Sequence, residues 1–344
     1  MPAMTFDAYG YAREILLPSL GLGNHPFVVK ATGREGTSSH LSRIVVERGP
    51  SLLVRSFTSR GRAARNGAAL RLLADRGLPA PKLIFADISP ANPLLRRRGL
   101  PRWATTEEWI DGIPAVEAAG TDLEKIALQV ATILARYHGV TRGRWGGPGF
   151  PGDLRPFAAH TLATARRMLG DLVRRGIMKG SAAESARGRY DGWRRQLMKI
   201  GTFQLIHRDA NRRNFVIPAD KKAEGVIPID LHRLSFGAGA EDIADALHHF
   251  CRSSESLSRR FIDRYLDEAQ PASRLCWDRA GSFYIALNAL KRLHKRTDPA
   301  AVNRISTADE RMAEWMGQAL HLAPPPLIWP EPGSAPPERE PFGA

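Results

Sequence analysis

The sequence predicts a mixed α+β fold, with a small antiparallel sheet and one helix in front and a larger helical part behind. Three observations predict it. Alternating apolar runs crowd the first 110 residues. Helical spacing dominates beyond residue 121. The helices are then interrupted at 203–230 by short strand-like runs that carry the densest polar cluster in the chain, LIHRDANRRNFVI at 205–217.

Three runs rich in Val, Leu and Ile come first, at Phe27–Ala31, Leu41–Glu47 and Ser51–Phe57. Each is bounded by Gly, Pro or Ser, the pattern of an antiparallel meander. Residues 61–76 change to helical spacing, with Ala64, Ala68, Leu72 and Leu73 on one side. The GLPAP that follows stops this helix. Strands are expected at 82–87 and 104–110, separated by a basic loop and closed by DGIP. A helix at 122–138 leads into a Gly/Pro-rich loop at 140–156 and two Arg-rich amphipathic helices at 158–178 and 183–199. The segment 203–230 reads as hairpin-like. Helices resume at 241–252, 256–269, 273–295 and 301–321, and the Pro-rich end at 323–344 reads as unstructured. The resulting domain expectation is a sheet lobe at 1–110, a helical lobe at 111–322 with an inserted segment at 140–200, and a tail at 323–344.

Composition narrows the function classes. With 43% apolar residues, the chain can bury a core, and disorder throughout is excluded. Two cysteines in 344 residues make neither a disulfide framework nor a paired zinc motif, so a reducing compartment is expected. The N-terminus lacks a basic start followed by an unbroken apolar core, so no signal peptide is expected. The expected location is the cytoplasm; the charge leaves open a peripheral contact with the inner face of an anionic membrane. Fifty Lys and Arg against 35 Asp and Glu give a formal net charge of +15, which favours anionic partners without choosing among them. No second recognition helix with base-reading residues follows the 61–76 helix, so no nucleic-acid partner is expected. Oligomeric state is not encoded in any motif.

The chemistry lies in the polar cluster. Asp209 and Asn214 sit five residues apart on a loop flanked by apolar runs, and a further carboxylate, Asp230, ends the run VIPID. One Asp to accept a proton, with an Asn and an Asp to ligate a hard cation through oxygen, is what Mg²⁺-dependent phosphoryl transfer needs. HRDANRRN, His207 to Asn214, matches the protein-kinase catalytic-loop pattern H-R-D-x-x-x-x-N. The chain thus resembles the protein-kinase-like phosphotransferases. Within them, IDLHR and GAEDIADALHHF resemble lipopolysaccharide-core kinases of the Kdo kinase/WaaP type. GLPAPKLIFAD and TEEWIDGIP also resemble the aminoglycoside phosphotransferases.

The resemblance implies an ATP- and Mg²⁺-dependent kinase acting on a hydroxyl of a sugar, a glycolipid or another small molecule. It implies Asp209 as catalytic base within the triplet His207–Arg208–Asp209, and Asn214 and Asp230 as metal ligands. It also implies nucleotide contacts from Gly33, Gly36 and Thr37 in ATGREGTSSH, and from the backbone of a hinge spanning Glu107, Glu108, Trp109 and Ile110.

Two positions depart from the pattern. Kinases carry a third-strand Lys paired with a helix Glu. Here SLLVRSF puts Arg55 in the Lys position and the helix offers Asn66. Arg for Lys is not conservative at a phosphate site, and Asn66 can only accept a hydrogen bond from the guanidinium rather than pair with it. Three readings stay open. Arg55 holds phosphates in a working enzyme; Lys30 substitutes from the first strand; or the chain is a pseudokinase that binds a partner. An aminoglycoside- or choline-type phosphotransferase is the alternative enzyme, favoured by the helical insertion. His248, His249 and Cys251 in LHHFC read as helix residues rather than metal ligands.

Overall fold

In the computed structural model, the described residues are 6–32, 39–88, 103–149, 153, 156–220, 225–251 and 254–296. The expected helix at 301–321, the tail and the glycine segment with Gly33, Gly36 and Thr37 lie outside them. Chain contacts define two compact units, one of residues 1–157 and 198–277 and one of 158–197 and 278 onward.

The first unit opens on a helical segment that the sequence reading missed: Ala8–Tyr11, a π turn at Ala12–Leu16 and Leu17–Ser19. Five strands follow: β1 (Phe27–Ala31), β2 (Ser39–Val46), β3 (Ser51–Phe57), β4 (Leu83–Asp87) and β5 (Trp103–Glu108). They form one antiparallel sheet in the order β1-β2-β3-β5-β4. The meander and the 82–87 strand are as expected, and the 104–110 strand is shifted to begin at Trp103 and end at Glu108.

Side chains alternate across a strand, and here the two faces have different partners. Ile44, Val46, Leu52, Val54 and Ala104 bury against Tyr11, Ala12, Leu16 and Leu17 of the N-terminal segment. The opposite face carries Arg55, Thr105 and Glu107, in a register that sets Arg55 across from Thr105 and Leu53 across from Glu107. Against that face packs the helix Arg60–Asp75, through buried Ala63, Asn66, Ala69, Leu70 and Leu73. Gly67 faces β4 and β5, where a Cβ would meet Ala86 and Thr105 at ordinary contact distances of 3.8 and 3.9 Å.

Beyond the sheet, two small three-stranded sheets set the loops. One has the order β11-β8-β7, made of Ser235–Gly237, Phe203–Ile206 and Thr141–Arg142. The other has the order β10-β9-β6, made of Ile227–Pro228, Phe215–Pro218 and Gly112–Pro114. The hairpin expected within 203–230 is β9 with β10, Val216 across from Ile227, whereas β8 pairs outside the segment with β11 and β7. The loop 207–214 leaves β8 for β9, and the loop 229–234 leaves β10 for β11. Both therefore bridge the same two sheets and must run side by side. The helices Gly120–His138, Ala240–Ala246 and Glu255–Glu268 pack behind them. The expected helix 241–252 ends as a π turn at Leu247–Cys251.

In the second unit, helices Phe157–Arg174 and Gly180–Gly192 are joined by Arg166, whose Nη2 donates to both oxygens of Asp191 at 2.7 and 2.8 Å. The expected helix 183–199 is broken at Trp193 and resumes as Arg194–Met198. Tyr190, Trp193 and Phe283 form an aromatic cluster with centroids 5.8–5.9 Å apart, and the Tyr190 hydroxyl donates to the Ala286 carbonyl. Among the described residues no helix is long and apolar enough to cross a membrane.

Leu16 is fully buried between the N-terminal segment and the sheet. Leu16→Ala is expected to cost about 2–5 kcal/mol of stability, the range for a core leucine whose site collapses only in part. Urea unfolding measures it; a loss under about 1 kcal/mol would show that the segment is not part of the sheet's core.

Candidate active site

The loop 207–214 is built on one carboxylate. Asp242, on the first turn of its helix and fully buried, accepts the backbone N–H of His207 at 2.6 Å and that of Arg208 at 2.7 Å. Two successive amides can point at one carboxylate only if the chain turns sharply, and Arg208 takes a left-handed φ of 66° to do so. His138 closes the network from below, with Nε2 3.3 Å from Asp242 and Nδ1 2.9 Å from the Tyr265 hydroxyl. Gly239 makes room for that ring; a Cβ there would stand 2.6 Å from His138 Nδ1.

Of the triplet, Asp209 has a half-buried side chain. His207 is fully buried, its ring stacked on Phe215 and its Nε2 hydrogen-bonded to the Ile229 carbonyl at 3.0 Å. Arg208 has an exposed side chain and takes part through its backbone. Asn211 Nδ2 donates to Asp209 Oδ1 at 2.7 Å. Asn214 Nδ2 donates to the Asp209 carbonyl at 2.9 Å, which turns its amide oxygen away from that bond. Its own carbonyl accepts from the Ile229 N–H at 2.8 Å, the stitch between the two loops.

Asp230 follows directly, also in a left-handed conformation at φ 62°. Its Oδ1 accepts from Arg55 Nη1 at 2.8 Å and meets His232 Nδ1 at 2.7 Å. Burial alone would raise the Asp230 pKa. The His232 hydrogen bond and the Arg55 charge outweigh it and hold the carboxyl well below the usual carboxylate range. The helix Arg60–Asp75 packs on this turn, Leu231–Arg233.

The structure gives the two departing residues these partners. Arg55, not Lys30, reaches the second loop; Lys30 is exposed on β1. Asn66 does not accept from the guanidinium. Its Nδ2 donates to Glu107 Oε1 at 2.7 Å and to Thr105 Oγ1 at 2.9 Å, and Arg55 Nε lies 3.5 Å from the same Glu107 oxygen. At the hinge, the N–H groups of Glu108 and Trp109 are taken by the carbonyls of Lys82 and Ser51. The Trp109 indole N–H is held by Asp111 at 2.8 Å, beneath the Arg43 guanidinium.

Asp242 and Arg212 escaped the sequence reading, and Glu107 entered it only through its backbone. Asp242 sits in a stretch that was singled out, and its signal is a carboxylate beside the apolar Ile243 and Ala244. Glu107 stands at an inward position of a strand. Arg212 Nε and Nη2 donate to the carbonyls of Ala115 and Val116 at 3.1 and 3.0 Å, and Nη2 also to that of Ala118, tying the loop to the turn after β6. His248, His249 and Cys251 belong to the packed π turn. Burial pushes the Cys251 thiol up to about 12, and among the described residues no group of His, Cys, Asp and Glu could hold a metal ion by itself.

Residues 32–281 match the model of the phosphotransferase enzyme family APH. No curated protein matches the chain. Among solved structures, a thermostable mutant of aminoglycoside phosphotransferase APH(4)-Ia, in ternary complex with AMP-PNP and hygromycin B, is 14% identical. Its TM-score is 0.59, over 90% of this chain and 98% of that one. The GDP and kanamycin complex of APH(2")-IIia is 13% identical at a TM-score of 0.58, over 88% and 98%. Macrolide 2'-phosphotransferase MphH from Brachybacterium faecium is 16% identical at 0.50, over 90% and 98%. At such identities the likeness is one of fold. The family match is the broader statement, since it takes in most of the sheet, both loops and the Asp242 helix: the chain belongs to the APH phosphotransferase enzyme family, enzymes that act on hydroxyl groups.

Proposed function

We propose that this chain is an ATP- and Mg²⁺-dependent kinase that phosphorylates a hydroxyl of a sugar, a glycolipid or another small molecule. The observation that carries the reading is that Asn214 is bonded both to the Asp209 carbonyl and to the N–H of Ile229, the residue before Asp230, while Arg55 is delivered to Asp230 from β3. Phosphoryl transfer asks a protein mainly for positioning and charge, and these four side chains supply both.

In this reading Asp209 takes the proton of the attacking hydroxyl. Asn211 fixes one of its oxygens, leaving the other for the acceptor. The Asn214 amide oxygen and the Asp230 carboxylate are the ligands for Mg²⁺, a hard cation that needs few protein ligands when phosphate oxygens fill the rest of its octahedron. Bound Mg-ATP supplies the phosphoryl group and neutralises its developing charge. His207 and Arg208 serve as loop supports through a ring and an amide rather than as groups that meet the acceptor.

Two lines bear on the acceptor. IDLHR supports a lipopolysaccharide-core-like sugar. A net charge of +15 also sits better with a neutral or anionic sugar than with a polycation. The fold neighbours, solved with hygromycin B and kanamycin, support the second reading, an aminoglycoside-type acceptor.

Nucleotide binding is tested by thermal shift with ATP, with and without Mg²⁺. At 100 times the dissociation constant the wild type gains about 2.7 kcal/mol, and Asp230→Asn loses the Mg²⁺-dependent part. No shift at millimolar ATP would favour the partner-binding pseudokinase reading. Asp209→Ala is expected to keep the nucleotide shift while transfer of labelled phosphate falls by about 10²–10⁴-fold, the usual share of a general base. Wild-type transfer by Asp209→Ala would remove that residue from the role. Labelled-phosphate transfer to a panel of neutral sugars, anionic sugars and aminoglycosides separates the two acceptor classes.

A further inference from the structure

We propose that Glu107 is the carboxylate that positions Arg55, and that the departures at the third strand and at the helix are two halves of one rearrangement. This rests on the phosphotransfer reading above and concerns a residue that reading does not use. In the pattern the chain resembles, a strand Lys is paired with a carboxylate from the helix. Here the helix residue is neutral Asn66, yet the strand cation is buried to the same degree as its neighbours; the side chains of Arg55 and Glu107 are 5% and 3% exposed. A guanidinium that deep needs a permanent counter-charge, because removing one partner of a buried pair is strongly destabilising. Asp230 alone cannot be that partner if a cation is to take its oxygens. Glu107 can, because it sits on β5 behind Arg55 rather than on the metal side.

The geometry supports the division. Arg55 is bracketed, with Nη1 2.8 Å from Asp230 Oδ1 and Nε 3.5 Å from Glu107 Oε1. Asn66 holds that same Glu107 oxygen at 2.7 Å and is itself tied to Thr105, so the carboxylate is clamped from the helix. The helix thus keeps a part in aligning the strand cation, but through a donor instead of a charge. The exchange also explains the Arg. Its planar fork presents donors on two sides and can face two carboxylates at once, whereas an ammonium is a single point. When a cation claims Asp230, the Nη side is released toward phosphate while Glu107 retains the Nε side.

The test compares Mg-ATP with adenosine, which lacks the phosphates, by titration calorimetry on the full chain. Glu107→Gln keeps an oxygen for Asn66 and removes only the charge. It is expected to weaken Mg-ATP binding about tenfold or more and leave adenosine binding unchanged. Moving the carboxylate back to the helix, in the double variant Asn66→Glu/Glu107→Gln, is expected to recover much of the loss. Equal losses for both ligands would reveal a merely structural residue and overturn the proposal, as would no loss at all. A wild type that binds neither ligand overturns the phosphotransfer reading first, and this inference with it. Should the variants not fold, a crystal structure of wild type with Mg-ATP decides: Arg55 on phosphate and still against Glu107 supports the proposal, and Arg55 parted from Glu107 overturns it.

Discussion

The Asp242 carboxylate is the constraint on which the site depends. It is buried, it accepts two successive amides of the 207–214 loop, and it leans on His138. Hydrogen bonds to a charged group contribute about 1.5–3 kcal/mol each. The left-handed Arg208 they impose costs about 1–2 kcal/mol, so the carboxylate wins and the turn is fixed. Everything downstream inherits that turn. His207 is driven inward to the Ile229 carbonyl, Asn214 is stitched to the Ile229 amide, and Asp230 is presented by a chain already held at the preceding residue. The second left-handed residue, Asp230, is thus tolerated because its neighbours over-determine it, as strained backbone at functional sites generally is.

Charge at the site is arranged in a line across the sheet. Glu107, Arg55 and Asp230 alternate in sign, and Asn66 and His232 secure the two ends. An alternating row lets a buried cation be stable without being fully committed to either neighbour. Part of the chain's basic charge is likewise answered by nearby carboxylates. In the second unit Arg166 is held by Asp191, and Arg174 by Asp171, which also receives His294. On these Arg-rich helices, Arg166 and Arg174 are thus ion-paired within the unit.

The sheet, its helix and the 207–214 loop were legible because each has a local signal: period-two alternation, helical spacing and a fixed motif. What was not legible depends on pairing at a distance. The loop flanked by FQLI and FVIP looks like a hairpin from spacing alone, but each flank finds a partner elsewhere, Ser235–Gly237 for one and Gly112–Pro114 for the other. Strands of two or three residues carry too few side chains to show alternation. The N-terminal helical segment contains a Pro and a π turn and was read only against targeting signals.

The site's residues divide along the same line. Asp209, Asn214 and Asp230 were legible as candidates because the proposed chemistry fixes their types and spacing. Glu107 was passed over as a hinge residue because its backbone, not its side chain, was the point of the resemblance. The sequence showed a missing helix carboxylate and could not show where its replacement stood. That follows from sheet register: β3 and β5 lie side by side although Arg55 and its ladder partner Thr105 are 50 positions apart in the chain. Only that adjacency puts Leu53 opposite Glu107, and so places the carboxylate one pleat from the guanidinium. A substitution that looks like decay in one element is then compensated in another that the motif does not include, and the retained triad of Asp209, Asn214 and Asp230 is what such compensation would preserve.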